Sequence, residues 1–255
     1  MKISVVTAVY NRRDTIGDAM KSVYAQTYQD LEHIIQDGGS TDGTLDAIEA
    51  SSVPQTLLVS EPDHGIYDAI NRGIARARGD VIGLMHSDDV FAAPDVLSKV
   101  AACFQDDTVD GVYGDLTYVA AHDPGRVIRY WKSGEYTPAK LARGWMPPHP
   151  TLYLRREVFE RWGLYDRSFQ IAADYDAMLR YLCKGQVQLA YIPEVLVAMR
   201  VGGESNKSFG RIVQKSREDY RAICTNGVGG VSTLFMKNAS KIKQFIQRES
   251  HGLSR

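Results

Sequence analysis

Hydrophobic residues along the first third of the chain fall into two alternating patterns. Short continuous runs rich in β-branched residues predict buried strands, and stretches in which hydrophobic residues recur every three or four positions predict amphipathic helices. The predicted strands cover residues 3–9, 31–36, 56–60 and 81–85, and the predicted helices between them lie within 16–23, 45–49 and 66–77. This alternation is typical of a mostly parallel sheet with helices on both faces.

The rest of the chain continues as a mixture of strands and helices. Helices are predicted over 96–104, 156–162 and 174–183, and strands over 111–119, 127–131, 151–154 and 187–192. Residues 132–146 are aromatic and basic without clear periodicity, and Gly202-Gly203 precedes a basic segment that is predicted to be helical. We therefore interpret the chain as an α/β domain over residues 1–206 followed by a C-terminal basic amphipathic helical extension over 207–255.

The composition supports a globular protein. The 255 residues are 44% hydrophobic and 24% charged, which excludes a disordered, collagen-like or disulfide-stapled chain. Three widely spaced cysteines form no metal or disulfide pattern and indicate a reducing compartment. The N-terminus lacks the features of a signal peptide, and no apolar run approaches the ~18 residues of a membrane span. We expect a cytoplasmic protein that contacts a membrane only peripherally.

The charge is distributed unevenly. The formal net charge is −1, which argues against a nucleic-acid partner, but residues 1–206 carry 20 basic and 28 acidic side chains while residues 207–255 carry 10 and 3. In the basic segment, Phe235, Ala239 and Ile242 recur at helical spacing with Lys237 and Lys241 among them. A basic amphipathic helix on an anionic membrane surface fits this pattern, and a helix packed on its own domain fits it as well.

Acidic residues follow three of the predicted strands. Asp37, Asp63 and the pair Asp88-Asp89 come directly after or close behind the second, third and fourth strands. Ligands of open α/β sheets bind beyond the carboxyl ends of the strands, and carboxylates crowded there repel one another unless a cation lies among them. Mg²⁺ or Mn²⁺ is the expected cation, with a turn or a helix cap as the alternative reading of each acidic residue.

Several short motifs, each weak alone, occur in an order and spacing that resemble the inverting family-2 glycosyltransferases of the GT-A fold. Within that family the resemblance is to bacterial exopolysaccharide, O-antigen and colanic-acid enzymes, and it extends over residues 3–206. The motifs lie at residues 4–11, 26–28, 37–44, 61–73, 79–80, 87–89, 149–151 and 172–176. The fold that this resemblance implies is GT-A, a Rossmann-like α/β fold with a mostly parallel central sheet.

The resemblance also implies a site for a nucleotide-sugar donor. Residues of the first two strand ends are expected to hold the nucleobase and ribose, and a face of the third helix to lie near the phosphate and sugar. The expected donor-binding residues are Thr7, Ala8, Tyr10, Asp37, Asp68, Asn71 and Asp88. His149 is expected either to line the sugar pocket or to be a structural histidine.

The same resemblance assigns the metal site and the base. Asp89 is expected to be the main ligand of Mn²⁺ or Mg²⁺, with Asp88 beside it, and His86 stands where many members have Asp. Asp174 occupies the position of the family's catalytic base, although Ala173 replaces a common Glu. Without the family, Asp174 reads as an ordinary helix N-cap.

Two further residues have open interpretations. Arg200 is a candidate for contact with a phosphate, and Trp145 is a candidate for stacking on an acceptor ring or for core packing.

The predicted function is transfer of a sugar from a nucleotide-sugar, favoured to be a UDP-sugar, to a hydroxyl of a lipid-linked saccharide in bacterial surface polysaccharide biosynthesis. A sugar-nucleotide pyrophosphorylase is disfavoured because it would need a Gly-x-Gly-x-Arg-type loop where this chain has Thr7 to Asn11. A non-catalytic saccharide-binding or scaffold protein is disfavoured by the joint presence of Asp37, Asp88, Asp89 and Asp174.

Overall fold

The computed structural model describes residues 1–202 and 209–246 of the chain. Its strands are β1 (Ile3–Val9), β2 (Leu31–Asp37), β3 (Thr56–Ser60), β4 (Val81–Leu84), β5 (Val90–Phe91), β6 (Gly111–Ala120), β7 (Asp123–Trp131), β8 (Tyr153–Arg155) and β9 (Leu189–Arg200). Its helices are α1 (Arg13–Tyr24), α2 (Thr44–Ser51), α3 (Ile66–Arg76), α4 (Val96–Cys103), α5 (Pro138–Leu141), α6 (Arg156–Trp162), α7 (Ala173–Leu179), α8 (Phe209–Thr225) and α9 (Val231–Ile246).

The strands form one mixed sheet in the order β3-β2-β1-β4-β8-β6-β9-β5, with β7 paired to β6. The half made of β3, β2, β1 and β4 is parallel, as predicted. Its register aligns Val9 with Asp37 and Asp37 with Ser60, so the carboxyl ends of the first three strands meet at one edge. Tyr10 and Asp37, two of the predicted site residues, lie at this edge.

The second half of the sheet departs from the predicted elements. The run over 151–154 divides into a 3-10 turn, His149–Thr151, and the antiparallel strand β8. β9 continues eight residues beyond the predicted end at 192 because Pro193 and Glu194 lie in a bulge between the pairs Gly114–Ile192 and Asp115–Val195. A proline cannot donate to the ladder, and a bulge removes that requirement.

The C-terminal helices α8 and α9 pack on the domain. Ala222 and Ile223 of α8 are fully buried and belong to the same core cluster as residues of α3 and α7. Lys237 of α9 is also buried, pairs with Asp219 of α8 at 2.7 Å, and lies 3.1 Å above the ring of Tyr175. Lys237 is therefore an anchor of α9 rather than part of a solvated basic face.

Among residues 1–202 and 209–246, no helix is long and apolar enough to cross a bilayer. The expected helical character of the last nine residues lies outside the described part of the chain.

Candidate active site

The loop after β2 is organised by Asp37. This carboxylate is fully buried and accepts hydrogen bonds from the backbone N–H groups of Gly39 and Ser40 and from the hydroxyls of Ser40 and Ser60, at 2.5 to 3.0 Å. Both oxygens are thus already bonded to their own loop. A nucleobase contact by Asp37 would have to share or replace one of these donors.

Tyr10, Gly38 and Asp63 form the open part of this strand edge. Tyr10 is 57% exposed, and a Cβ added to Gly38 would lie 2.4 Å from an oxygen of Asp63 and 3.4 Å from the Tyr10 ring. Only glycine therefore permits the three segments to come so close. Tyr10 is therefore a predicted donor-binding residue whose side chain is exposed at this edge.

Thr7 and Ala8 lie below this edge, inside the sheet. The Thr7 side chain is fully buried and its hydroxyl is 2.9 Å from Nε2 of His33, while Ala8 is part of the core. Both side chains are therefore enclosed by the protein. The physical reason is the β-strand alternation, which directs these two side chains into the layers above and below the sheet.

Asp68 and Asn71 hold the protein together instead of facing a donor. Asp68 is buried and pairs with Arg72 at 2.8 Å and Arg167 at 3.1 Å. Burial disfavours its charge, but hydrogen bonds from His64 and the two guanidinium groups outweigh this effect and lower the pKa of Asp68. Asn71 clamps the backbone of Tyr165, donating to its carbonyl at 2.8 Å and accepting from its N–H at 3.0 Å. Both side chains therefore have partners within the protein.

His86, His149 and Asp174 come from three distant parts of the sequence and meet at one place. The rings of His86 and His149 lie 5.8 Å apart, and Nε2 of His149 is 2.9 Å from the Tyr165 hydroxyl. Burial lowers the pKa of His149 to about 4, against the opposing charge of Asp174. Burial likewise lowers the pKa of His86, opposed by the charges of Asp88 and Asp174. His86 is thus the neutral group beside both candidate carboxylates.

Asp174 is bound by a residue that the sequence pattern did not single out. The Tyr67 hydroxyl lies 3.1 Å from Asp174 Oδ1 and 2.7 Å from the Ile171 carbonyl. Burial, followed by the charge of Asp174, raises the pKa of Tyr67 well above its ordinary value, so the hydroxyl remains a donor. Tyr67 directly precedes Asp68 in the motif at 61–73. Its place in that motif was the only feature of the sequence that pointed to Tyr67.

Asp88 and Asp89 differ in burial. Asp89 is fully buried and accepts a hydrogen bond from the Arg200 backbone N–H at 3.1 Å. Its other oxygen, Oδ2, is buried without a hydrogen-bond partner in the described part of the chain. Burial, reinforced by the Asp88 charge, raises the pKa of Asp89 well above its ordinary value. Asp88 is only half-buried.

Comparison with known families assigns this arrangement. The profile described as glycosyl transferase family 2 matches residues 4–168. The chain belongs to this family. It is 33% identical over 187 residues to an uncharacterised glycosyltransferase of Mycobacterium tuberculosis, covering 70% of this chain and 68% of the relative. It is 29% identical over 208 residues to a PGL/p-HBAD biosynthesis glycosyltransferase of Mycobacterium bovis, covering 80% and 78%.

Solved structures share the GT-A fold of this family 2 glycosyltransferase. Staphylococcus aureus TarS 1-349 in complex with UDP-GlcNAc superposes with a TM-score of 0.69 at 16% identity, covering 89% of this chain and 66% of TarS 1-349. The mannosyltransferase PcManGT of Pyrobaculum calidifontis, in complex with GDP-Man and Mn²⁺, gives 0.66 at 18% identity over 98% of this chain and 76% of that one. The chain spans 44% of the longer TarS chain.

The residues of this glycosyltransferase fit a divalent cation bound together with a ligand. In residues 1–202 and 209–246, no three His, Cys, Asp or Glu side chains converge to form a metal site by themselves. Mg²⁺ and Mn²⁺ often take only one or two carboxylates and complete their shell with phosphate oxygens. The unpartnered buried oxygen of Asp89 and the half-buried carboxylate of Asp88 meet that requirement.

Arg200 and Trp145 have structural partners. The guanidinium of Arg200 donates to the Asp88 carbonyl at 2.9 Å and pairs with Asp18 of α1 at 2.7 Å, so it fixes the Asp88-Asp89 turn rather than facing a phosphate. The Trp145 ring stacks on Tyr136, and its indole N–H donates to the Ser133 carbonyl at 2.9 Å. Core packing is therefore the role of Trp145.

Proposed function

We propose that the protein is a metal-dependent inverting glycosyltransferase that moves a sugar from a nucleotide-sugar donor to a hydroxyl of a saccharide acceptor. The observation that carries this proposal is the series of contacts that joins Asp174 of α7 to the loop after β4. Tyr67 binds Asp174 and stacks on Tyr165, the Tyr165 hydroxyl contacts His149, and the His149 ring lies against His86, two residues before Asp88. Family 2 membership supplies the reaction class. Because these carboxylates are far apart in the sequence, only the folded chain can bring them together.

Asp174 acts as the general base in this proposal. Its carboxylate takes the proton of the acceptor hydroxyl as that oxygen attacks the anomeric carbon of the donor. The bond from the anomeric carbon to the diphosphate oxygen breaks on the opposite face, so the configuration inverts and a nucleoside diphosphate leaves with the electron pair. The Tyr67 hydroxyl orients the carboxylate, and the neutral state of His86 leaves its negative charge unquenched.

Asp88 and Asp89 would hold Mn²⁺ or Mg²⁺, Asp89 through the buried oxygen that has no hydrogen-bond partner in the described part of the chain. When bound, the cation offsets the charge that develops on the leaving diphosphate. Mn²⁺ in the complex of PcManGT supports this proposal. Asp88→Asn should remove the Mn²⁺ dependence of UDP binding in calorimetry, and an unchanged dependence would place the metal elsewhere.

The donor is proposed to be a UDP-sugar, held at the edge formed by Tyr10, the Asp37 loop and Asp63. The complex of TarS 1-349 with UDP-GlcNAc supports uridine, whereas PcManGT binds GDP-Man. Thermal shift of the purified protein with Mn²⁺ and either UDP-N-acetylglucosamine, UDP-glucose or GDP-mannose separates these cases, because a bound donor raises Tm by mass action.

The acceptor is proposed to be a lipid-linked saccharide of a bacterial surface polysaccharide, reached from the cytoplasmic face of the membrane. Val231 and Phe235 lie one helical turn apart on α9 and are 69% and 73% exposed. Such apolar side chains, together with the basic composition of residues 207–255, support contact with an anionic bilayer. Phe235→Ser should weaken co-sedimentation with phosphatidylglycerol vesicles, and equal binding by both proteins would remove this contact from the proposal.

Asp174→Asn is the direct test of the function. Turnover of the donor selected by thermal shift should fall by about 10²–10⁴, because the amide cannot accept the proton, while donor binding persists. Glu157→Gln, at an exposed carboxylate of α6 that pairs with Arg161 at 3.2 Å, is the control and should retain most of the turnover. A wild-type protein that binds donors without any turnover would instead be a saccharide-binding module.

A further inference from the structure

The turn that leads into α7 is held by a residue of the C-terminal helix α8. Glu218 Oε2 accepts the backbone N–H groups of Ile171 at 2.8 Å and Ala172 at 3.0 Å. Glu218 Oε1 accepts the backbone N–H of Gln170 at 3.2 Å and the side-chain amide of Gln214 at 3.1 Å. Three consecutive backbone donors therefore converge on one carboxylate.

The local sequence supplies no substitute for this carboxylate. The N-cap residue of α7 is Ala172, and no side-chain hydrogen bond caps the helix. Such an N-terminus leaves backbone donors that are ordinarily satisfied by a nearby Ser, Thr, Asp or Asn. The carbonyl of Ile171 is bound from the other side by Tyr67. The turn is thus fixed between Tyr67 of α3 and Glu218 of α8, and Asp174 follows two residues later.

Other residues of α8 and the turn after it bind the same stretch of chain. Arg221 donates to the Ser168 hydroxyl at 2.8 Å, and its guanidinium lies 4.3 Å from the centre of the Phe169 ring. Asn226 donates to Asp176 at 2.8 Å. These contacts bracket Asp174 on both sides along the sequence, so α8 and the residue that follows it determine where α7 begins.

We propose that Glu218 is a positioning residue for Asp174, and that α8 is consequently part of the catalytic apparatus. The inference rests on the proposed role of Asp174 as the base. Charge-assisted hydrogen bonds to three successive N–H groups fix the height and rotation of the first turn of α7, and with it the direction of the Asp174 carboxylate. Misplacement of a reacting group by about 1 Å costs roughly 10²-fold in rate, so a carboxylate outside the reacting atoms can control turnover.

A double-mutant cycle between Glu218→Ala and Asp174→Asn tests this role. Turnover is measured as release of nucleoside diphosphate, with water as the acceptor, from whichever of UDP-N-acetylglucosamine, UDP-glucose and GDP-mannose raises Tm most in Mn²⁺. Glu218→Ala should lower kcat about 10- to 100-fold in the wild-type background, with KM for the donor little changed. In the Asp174→Asn background the same substitution should cost less than about twofold, since the group it positions is already lost.

Asp219→Asn is the matched control on the same helix. Asp219 is buried and pairs with Lys215 and Lys237 instead of binding the turn, so its substitution should lower Tm while kcat at a permissive temperature stays close to wild type. An equal loss of kcat from Glu218→Ala in both backgrounds, or no loss in either, overturns the inference. If Asp174→Asn itself keeps wild-type turnover, the assignment of the base fails instead.

Backbone hydrogen exchange gives a readout that does not depend on activity. In Glu218→Ala, amides of residues 170–176 should exchange faster, while amides of the parallel strands β1 and β2 keep their protection. Unchanged exchange over 170–176 would show that the turn does not need Glu218 and would overturn the inference whatever the turnover.

Discussion

Asp174 and the turn before it take their surroundings from four separate parts of the chain: Tyr67 from α3, His86 from the loop after β4, His149 from the turn at 149–151, and Glu218 from α8. A carboxylate in the first turn of a short helix is common, and its sequence context alone is that of an N-cap. The groups that surround a carboxylate in the folded protein distinguish a catalytic base from a helix N-cap. Two of them, Tyr67 and Glu218, could not be identified from the sequence because nothing in their own neighbourhoods indicates a contact over such separations.

Tyr67→Phe should lower kcat about tenfold while donor affinity is retained. The substitution removes the hydroxyl that binds Asp174, and a hydrogen bond to a charged group is worth about 1.5–3 kcal/mol, of which 1.4 kcal/mol corresponds to one order of magnitude in rate. Tyr28→Phe is the matched control, since its hydroxyl donates to the Met1 carbonyl. Equal kcat values for the two variants would exclude Tyr67 from the site.

His33 should make the protein less stable in acid. Burial lowers the pKa of His33 to about 3, so between pH 6.5 and about 3 the unfolded chain binds a proton that the folded chain does not. The free energy of unfolding therefore decreases as the pH falls through this window, by up to about 1.4 kcal/mol per pH unit from this group, and the group has no such effect above pH 6.5.

Urea unfolding between pH 7 and pH 4 measures this dependence. His33→Gln should unfold more easily at pH 7 but show a shallower loss of stability on acidification than wild type. His122→Gln, at an exposed position, should keep the wild-type slope. A slope unaltered by His33→Gln would assign the acid sensitivity to other groups.

At the scale of secondary-structure elements, hydrophobic periodicity was sufficient to predict the bounds of elements that are long enough to show a clear pattern. β1, β3 and α6 have the predicted bounds, and β2, α3 and α4 differ by about one residue. Periodicity failed for β5 and α5, which are too short to carry a pattern, and for β9, whose continuation depends on a bulge at Pro193. Small residues determine how closely two elements can pack, as α3 shows.

Gly73→Ala and Gly17→Ala should have opposite effects although both glycines are inside helices. A Cβ at Gly73 of α3 would lie 2.4 Å from Val6 Cγ1 of β1, so α3 must move and stability should fall by about 1–3 kcal/mol. A Cβ at Gly17 of α1 would meet only Ser51 Oγ at 3.7 Å, and its higher helix propensity should raise stability by about 0.5–1 kcal/mol. Denaturant unfolding of both variants checks the two signs. Similar effects would refute the close packing of α3.

For the whole molecule, the uneven charge and the C-terminal segment have a different meaning from the one first expected. Lys237 and Lys215 of the basic segment neutralise buried Asp219 inside the fold. Part of the positive charge is therefore structural, and the exposed apolar residues of α9 carry the proposed membrane contact. We expect the domain over 1–206 and the segment that follows it to fold together, because α8 shares a core cluster with α3 and α7.

Removal of residues 207–255 should therefore abolish folding or strongly lower Tm. Ile223→Ala is the milder form of the same test. Its side chain is fully buried, and its loss should cost about 2–5 kcal/mol. Ile212→Ala, at a 49% exposed position on α8, should change stability by less than about 1 kcal/mol. A truncated protein that unfolds cooperatively at the wild-type Tm would restore the original boundary.

The sequence by itself determined the alternation of elements, the parallel half of the sheet, the family and the positions of its acidic motifs, because these depend on local periodicity and on ordered residue patterns. Only the tertiary structure decided which of those side chains are free. In the folded protein, Asp37 is hydrogen-bonded to its own loop, Thr7 is buried against His33 and Asp68 pairs with two arginines. Asp88 is only half-buried. The tertiary structure also brought Tyr67 and Glu218 to the two sides of the turn before Asp174. Hydrogen-bond partners across a hundred residues are fixed by packing, and packing has no local signature in the sequence.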